Sequence, residues 1–217
     1  MRLFLNVLGI RQRRALIQLG PVVWKRGFYL GGGTAIALQL GHRRSVDLDW
    51  FTSERSLDPL GLAEQIRDQG LPLVTDSTAP GTLHGRLFGV RVSFLAYPYA
   101  VLKPPRPSPI AKCRLASLDD LAAMKLSALG QRGAKKDFVD LYALCRKHAT
   151  LSTLLRSYRR RFQTTDIAHV LYSLAYFEDA DRERLPRMMW QVTWPTIKRA
   201  VRSWVAELGA ATNRRAP

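Results

Sequence analysis

Cysteine is scarce: two occur in 217 residues, Cys113 and Cys145, far apart and without metal-ligand spacing. This excludes a disulfide framework, argues against a structural zinc site and points to a reduced, cytoplasmic setting. No stretch of about 18 apolar residues is present, as a membrane-spanning helix would need. The apolar start of MRLFLNVLGIRQRR is too short for a span. Its charges follow the apolar run and no small-residue cleavage site appears, so a secretory leader is not expected. Repeats and low-complexity tracts are also missing, and the chain reads as soluble, with no membrane partner. Acidic residues are few, 17 against 34 Lys+Arg, which gives a net charge of +17. Such an excess leaves the fold open but raises the potential toward polyanions. Nucleotides, nucleic acid and an acidic protein are all compatible with it.

What is present has ordinary globular proportions, 47% hydrophobic and 24% charged, enough chain for one core or a domain with a helical annex. Residues 11–20 read as a basic helix ended by Gly20-Pro21. Phe28-Tyr29-Leu30 reads as a strand running into a glycine turn, followed by a helix from Thr34 to Leu40, and Val46 to Phe51 as a strand. A helix over 58–69 and strands at 71–75, 82–88 and 90–97 follow, the last two forming a hairpin about Gly89. The proline run at 103–109 cannot continue a sheet or a helix and sets a boundary. Helices are expected beyond it, at about 118–129, 135–147, 151–162, 166–177 and 194–208. An α+β half over 1–103 and an α-helical half over 104–217 result.

The chemistry concentrates in FYLGGGTAIALQLGHRRSVDLDWF. Glycines between a strand and a helix admit phosphate close to the backbone, at a helix N-terminus that supplies N–H donors. A plain tight turn has the same composition, and Thr34 is equally a helix cap. Asp47 and Asp49, two apart on a strand, share a face with Cα atoms roughly 6–7 Å apart and can converge on a hard cation. A half-exposed strand with a polar face is the plainer reading of that pair. His42, Arg43 and Arg44 can hold triphosphate oxygens or form a solvated basic loop.

A second group lies in LDDLAAMKLSALGQRGAKKDFVDLYAL. Lys125 sits on the apolar stripe of its helix, where a lysine snorkels or meets an anion. Asp137 and Asp140 share a face of the next helix. They can pair Lys125 or Arg132, or assist at a site. Residues 132–161 carry nine Lys/Arg and two acids. Leu151, Leu154, Leu155, Tyr158 and Phe162 form the apolar stripe of one helix there, which leaves Arg156, Arg159, Arg160 and Arg161 outward, as a phosphate-backbone footprint or a solvated face.

The stretches GGGTAIALQLGHRRSVDLDWF (31–51), SLDDLAAMKLSAL (117–129), KKDFVDLY (135–142) and YFEDA (176–180) together resemble the AbiEii/AbiGii toxin family of nucleotidyltransferases. This family (domain of unknown function 1814) belongs to the minimal DNA polymerase β-like superfamily. The resemblance implies an α+β nucleotidyltransferase fold, a mixed sheet with flanking helices, followed by an α-helical C-terminal region. It implies that Asp47 and Asp49 bind Mg²⁺ (or Mn²⁺) and that Gly32, Gly33 and Thr34 hold a nucleoside triphosphate, to which the neighbouring Arg43, Arg44 and Ser45 are added as candidate contacts. Lys125 and Asp137 fall on later family motifs and are implied as catalytic contributions of the helical half. The implied reaction moves a nucleoside monophosphate to a hydroxyl, with RNA (transfer RNA ends) as acceptor, and the basic charge pattern offers Arg156, Arg159 and Arg160 as its contacts. An antitoxin protein is the implied partner. In one place the chain departs from the superfamily: Ser93 stands where a third carboxylate is usual, with Asp137 as the candidate substitute. That departure leaves open a catalytically reduced nucleotide- or RNA-binding protein. The charge leaves open a chain acting mainly through an acidic partner.

Overall fold

The computed structural model describes residues 2–213, which form two compact units, to Ser117 and from Leu118. The first is built on a mixed seven-stranded sheet. Its elements are α1 (Ile10–Lys25), β1 (Tyr29–Leu30), α2 (Gly32–Leu40), β2 (Leu48–Thr52), α3 (Pro59–Asp68), β3 (Leu73–Ala79), β4 (Thr82–Leu87), β5 (Val90–Ala96), β6 (Arg106–Pro107) and β7 (Arg114–Leu115). The strand order is β3-β4-β5-β2-β1-β7-β6, with β2 parallel to β5 and antiparallel to β1. Alternation along β2 and β5 sends Leu48, Trp50, Val92 and Phe94 into the core and leaves Asp49 and Ser93 half-exposed on the other face. Leu16, Leu19, Ile36 and Phe28 complete that core, Phe28 meeting Phe94 edge-on at 5.6 Å.

Two local readings need correction. The first helix does not stop at Gly20-Pro21 but runs to Lys25 with Pro21 inside it. Pro21 forgoes one helical hydrogen bond, yet Leu16, Leu19, Val22 and Val23 are buried on both sides of it, and packing outweighs the missing bond. Gly20 serves close approach, since a Cβ there would lie 3.0 Å from the Lys112 backbone nitrogen. The proline run also fails to end the sheet. Arg106–Pro107 pairs with Arg114–Leu115, which pairs with β1, so the first unit extends past residue 103 to Ser117. A proline is tolerated because β6 is the sheet edge and needs no donor outward.

The hairpin of β4 and β5 turns through Phe88 and Gly89, both with positive φ (54° and 77°), the two-residue geometry that matches strand twist. Asp58 caps α3, accepting from the N–H groups of Leu60 and Gly61 at 3.1 Å.

The second unit is helical: α4 (Leu118–Arg132), α5 (Lys135–Lys147), α6 (Leu151–Phe162), α7 (Ala168–Ala175), α8 (Glu178–Arg182) and α9 (Trp194–Asn213). Phe138, Phe177 and Trp194 meet in an aromatic cluster, with ring centroids 4.8–6.0 Å apart. Among the described residues, no helix is long and apolar enough to cross a membrane. Both cysteines are free, and burial pushes the Cys113 thiol up to about 11, away from reactivity.

Candidate active site

The glycine turn and the D-x-D pair come together in the first unit. α2 begins at Gly32, two residues earlier than its composition suggests, so Gly32 and Gly33 form its first turn and Gly31 its cap. Early helical N–H groups lack intrahelical partners, and this end of the helix is its positive pole. Gly32 has φ +61°, and an added Cβ would collide with Asp49 Oδ2 and lie 3.2 Å from Asp49 Cγ. At Gly33 an added Cβ would collide with the Arg43 guanidinium and lie 3.3 Å from Ser45 Oγ. Glycine is therefore required twice because charged and polar side chains crowd this helix end. Gly31 N–H donates to the Asp49 carbonyl at 2.8 Å, fixing strand to turn.

Asp47 lies one residue before β2. Arg91 on β5 forks onto it, Nε to Oδ1 at 2.8 Å and Nη2 to Oδ2 at 3.3 Å. Asp47 and Arg91 line a cleft of about 480 Å³ together with Arg11, Gln12, Arg44 and Ser45, between the start of α1 and the head of β2. The cleft thus opens beside Asp47, not over the glycines. Arg91 had no role in the sequence reading, although its place two residues before Ser93 on the same strand face was readable.

Thr34 is 1% exposed. Its hydroxyl donates to the Asp47 carbonyl, and Gln12 Nε2 reaches both atoms at 3.3 Å. The hydroxyl expected on phosphate instead anchors the entry to β2. Arg43 is buried and donates from Nη1 to the Arg44 carbonyl at 2.9 Å, which holds the loop 41–47 against the helix end. His42 and Arg43 are thus buried in an internally bonded loop, in place of the solvated basic loop that the sequence allows.

Ser93 is the register partner of Asp49 across the parallel β2–β5 pair. On its other side it pairs with His84 of β4, whose Nδ1 lies 3.1 Å from Ser93 Oγ.

Lys125, Arg132, Asp137 and Asp140 form one network inside the second unit. Lys125 Nζ reaches Asp137 Oδ1 at 2.7 Å and Asp140 Oδ2 at 2.9 Å. Arg132 adds bonds at 2.8 and 3.1 Å to the two Asp137 oxygens. Lys125 does not snorkel; it is buried against two buried carboxylates. Burial alone would raise the Asp137 carboxyl, but the Lys125 ammonium and the Arg132 hydrogen bond outweigh it and hold the group below its usual range. A carboxylate with both oxygens bonded to cations is a poor proton acceptor. On α6, Arg156, Arg159 and Arg160 are exposed as expected, whereas Arg161 turns inward and pairs with buried Asp120.

Two carboxylates suit a magnesium ion whose remaining positions are filled by water and substrate phosphates. Among the described residues no larger group of His, Cys, Asp or Glu encloses a metal.

A glycine-shaped helix N-terminus against a strand carboxylate, on a mixed sheet, is an arrangement able to take a phosphate. The family model for the nucleotidyl transferase AbiEii toxin of type IV toxin–antitoxin systems matches residues 14–84 and 85–208, and the chain belongs to that family. It is a nucleotidyltransferase of a toxin family. It is 34% identical over 198 residues to an uncharacterized protein of Aquifex aeolicus (strain VF5), covering 89% of this chain and 96% of that one. MenT4, a nucleotidyltransferase toxin of Mycobacterium tuberculosis, shares the fold at TM-score 0.57 and 17% identity, over 91% of this chain and 81% of that chain. A candidate nucleotidyltransferase from H. pylori does so at TM-score 0.52 and 13% identity, over 94% of each chain.

Proposed function

We propose that the chain transfers a nucleoside monophosphate from a nucleoside triphosphate to a hydroxyl of RNA, transfer RNA ends being the foremost candidate, as the toxin of a toxin–antitoxin pair in the cytoplasm. The observation that carries this reading is the close approach of the Asp49 carboxylate to Gly32, which sets an acid against the helix N-terminus.

The first-turn N–H groups at Gly32 and Gly33 receive the β- and γ-phosphates, with Arg43 and Ser45 beside Gly33 and Arg44 on the adjoining cleft. Asp47 and Asp49 would hold Mg²⁺ (or Mn²⁺), which would supply charge to polarise the α-phosphate and offset that on the pyrophosphate. Thr34 contributes by tethering the Asp47 backbone. Lys125, with Asp137 and Asp140, supports the transferase by fixing α4 to α5 within the second unit. Exposed Arg156, Arg159 and Arg160 supply phosphate-backbone contacts to the RNA, and the surplus positive charge suits an acidic antitoxin.

The test is incubation of the full chain with each α-labelled triphosphate, Mg²⁺ and total RNA, followed by a denaturing gel. Label on a discrete RNA band, lost on chelation, supports the reading. Triphosphate binding without incorporation would replace it with a nucleotide-binding protein of reduced catalysis, the alternative that Ser93 favours.

A further inference from the structure

We propose that Ser93 and His84 together accept the proton of the attacking hydroxyl; this rests on the transfer reading above. Side chains of residues paired across neighbouring strands stand on one face with strands about 4.8 Å apart. Asp49, Ser93 and His84 are such partners in turn, so they form one row across β2, β5 and β4. The buried neighbours Leu48, Trp50, Val92, Phe94, Leu83 and Gly85 fix that row to the open face. The Ser93 hydroxyl and the exposed His84 imidazole share a hydrogen bond of 3.1 Å.

The reaction needs a base on this face, and the nearby acids are already engaged. Arg91 holds both oxygens of Asp47, and Arg86 pairs with Asp76 at 3.2 Å in the row beside His84. Asp49 abuts the glycine turn and serves the metal. The imidazole is the nitrogen base of the row, and the serine hydroxyl links it to the strand position beside Asp49.

In the step, the acceptor hydroxyl gives its proton to Ser93 Oγ while Ser93 passes its own to His84 Nδ1. The acceptor oxygen bonds to the α-phosphorus, the α–β phosphoanhydride bond breaks, and pyrophosphate leaves with the electron pair. His84 then releases the proton to water. Ser93 is the catalytic residue at the reacting atom, and His84 acts through it.

The experiment compares the wild-type chain with His84→Ala, Ser93→Ala and the double variant Ser93→Asp/His84→Ala. It reads incorporation of α-labelled nucleotide into total RNA, equilibrium binding of the triphosphate with Mg²⁺, and melting temperature. Each alanine variant should lower kcat about a hundredfold or more, as loss of a positioned base does, with triphosphate affinity and melting temperature unchanged. Added imidazole should restore part of the rate to His84→Ala, and the double variant should recover transfer because a carboxylate then stands beside Asp49. His84→Ala working at the wild-type rate overturns the proposal while the transfer reading stands. Loss of triphosphate affinity in step with kcat also overturns it, because His84 would then be a binding or structural residue. A wild-type chain that binds triphosphate but transfers none overturns the transfer reading itself, and this role with it.

Discussion

At the scale of single residues, Gly32 joins conformation to chemistry. Its φ of +61° costs an L side chain ~1–2 kcal/mol, and the added Cβ would strike Asp49. Gly32→Ala should therefore weaken triphosphate binding and transfer far more than it lowers the melting temperature, measured by titration and thermal denaturation on the same sample. Arg91 poses a separate question, because its fork competes with any cation for Asp47. Arg91→Gln should tighten Mn²⁺ binding to the free protein, measured as free Mn²⁺ by electron paramagnetic resonance. Its cost in stability should stay below about 1 kcal/mol, because the guanidinium is 66% exposed. Unchanged Mn²⁺ affinity would mean that the fork does not occupy the metal position. Part of this detail was legible from spacing. The two-residue turn at Phe88-Gly89 by itself pairs residue 84 with 93 and 86 with 91. His84 went unnoticed because its partner Ser93 is nine positions away and His84 itself lies in no motif. The Arg91–Asp47 contact was hidden for a different reason: which strand lies beside β2 is a matter of topology, and no local pattern states it.

At the scale of elements, the helices of the second unit were readable because their apolar stripes recur at helical period. The direction of individual charged side chains was not. Arg161 lies one position after Arg160 on α6, yet it is buried against Asp120 while Arg160 is exposed. Replacing Arg156, Arg159 and Arg160 with Gln should leave the melting temperature nearly unchanged. It should flatten the salt dependence of RNA binding, each lost contact lowering the log–log slope by roughly 0.7 for single strands. Arg161→Gln should do the reverse, destabilising by about 3–5 kcal/mol because it strands a buried carboxylate. The pairing of α4 with α5 gives a pH signature. The Asp137 carboxyl is depressed in the folded chain, so its ion pairs stabilise above the unfolded value of about 4 and are lost as pH falls through the folded value. Asp137→Asn should be markedly less stable than wild type at pH 7, with the gap closing below about pH 4 in denaturant titrations. A gap that persists into strong acid would assign the loss to packing. At the edge of the sheet, β6 and β7 stayed illegible because two-residue strands have no period, and a proline run masks the pairing.

For the whole molecule, composition and element order together gave the class: a mixed sheet in the first unit and helices in the second, under a net charge of +17. The charge narrowed the partners without choosing one. The glycine turn followed within 20 residues by Asp47 and Asp49 carried most of the functional information, since strand, turn, helix and returning strand in that order bring the helix end to the Asp49 carboxylate. The boundary between the units was misread because the proline run looks like a linker while the sheet continues through it. The central claim is that Asp47 and Asp49 make the glycine turn a site of nucleotidyl transfer. It is tested most directly by incorporation of α-labelled nucleotide into RNA by the full chain and by Asp47→Asn/Asp49→Asn, with folding of both followed by circular dichroism. The double variant should fold yet transfer nothing, while the wild type labels RNA in the presence of Mg²⁺. A folded double variant that labels RNA as the wild type does would contradict it.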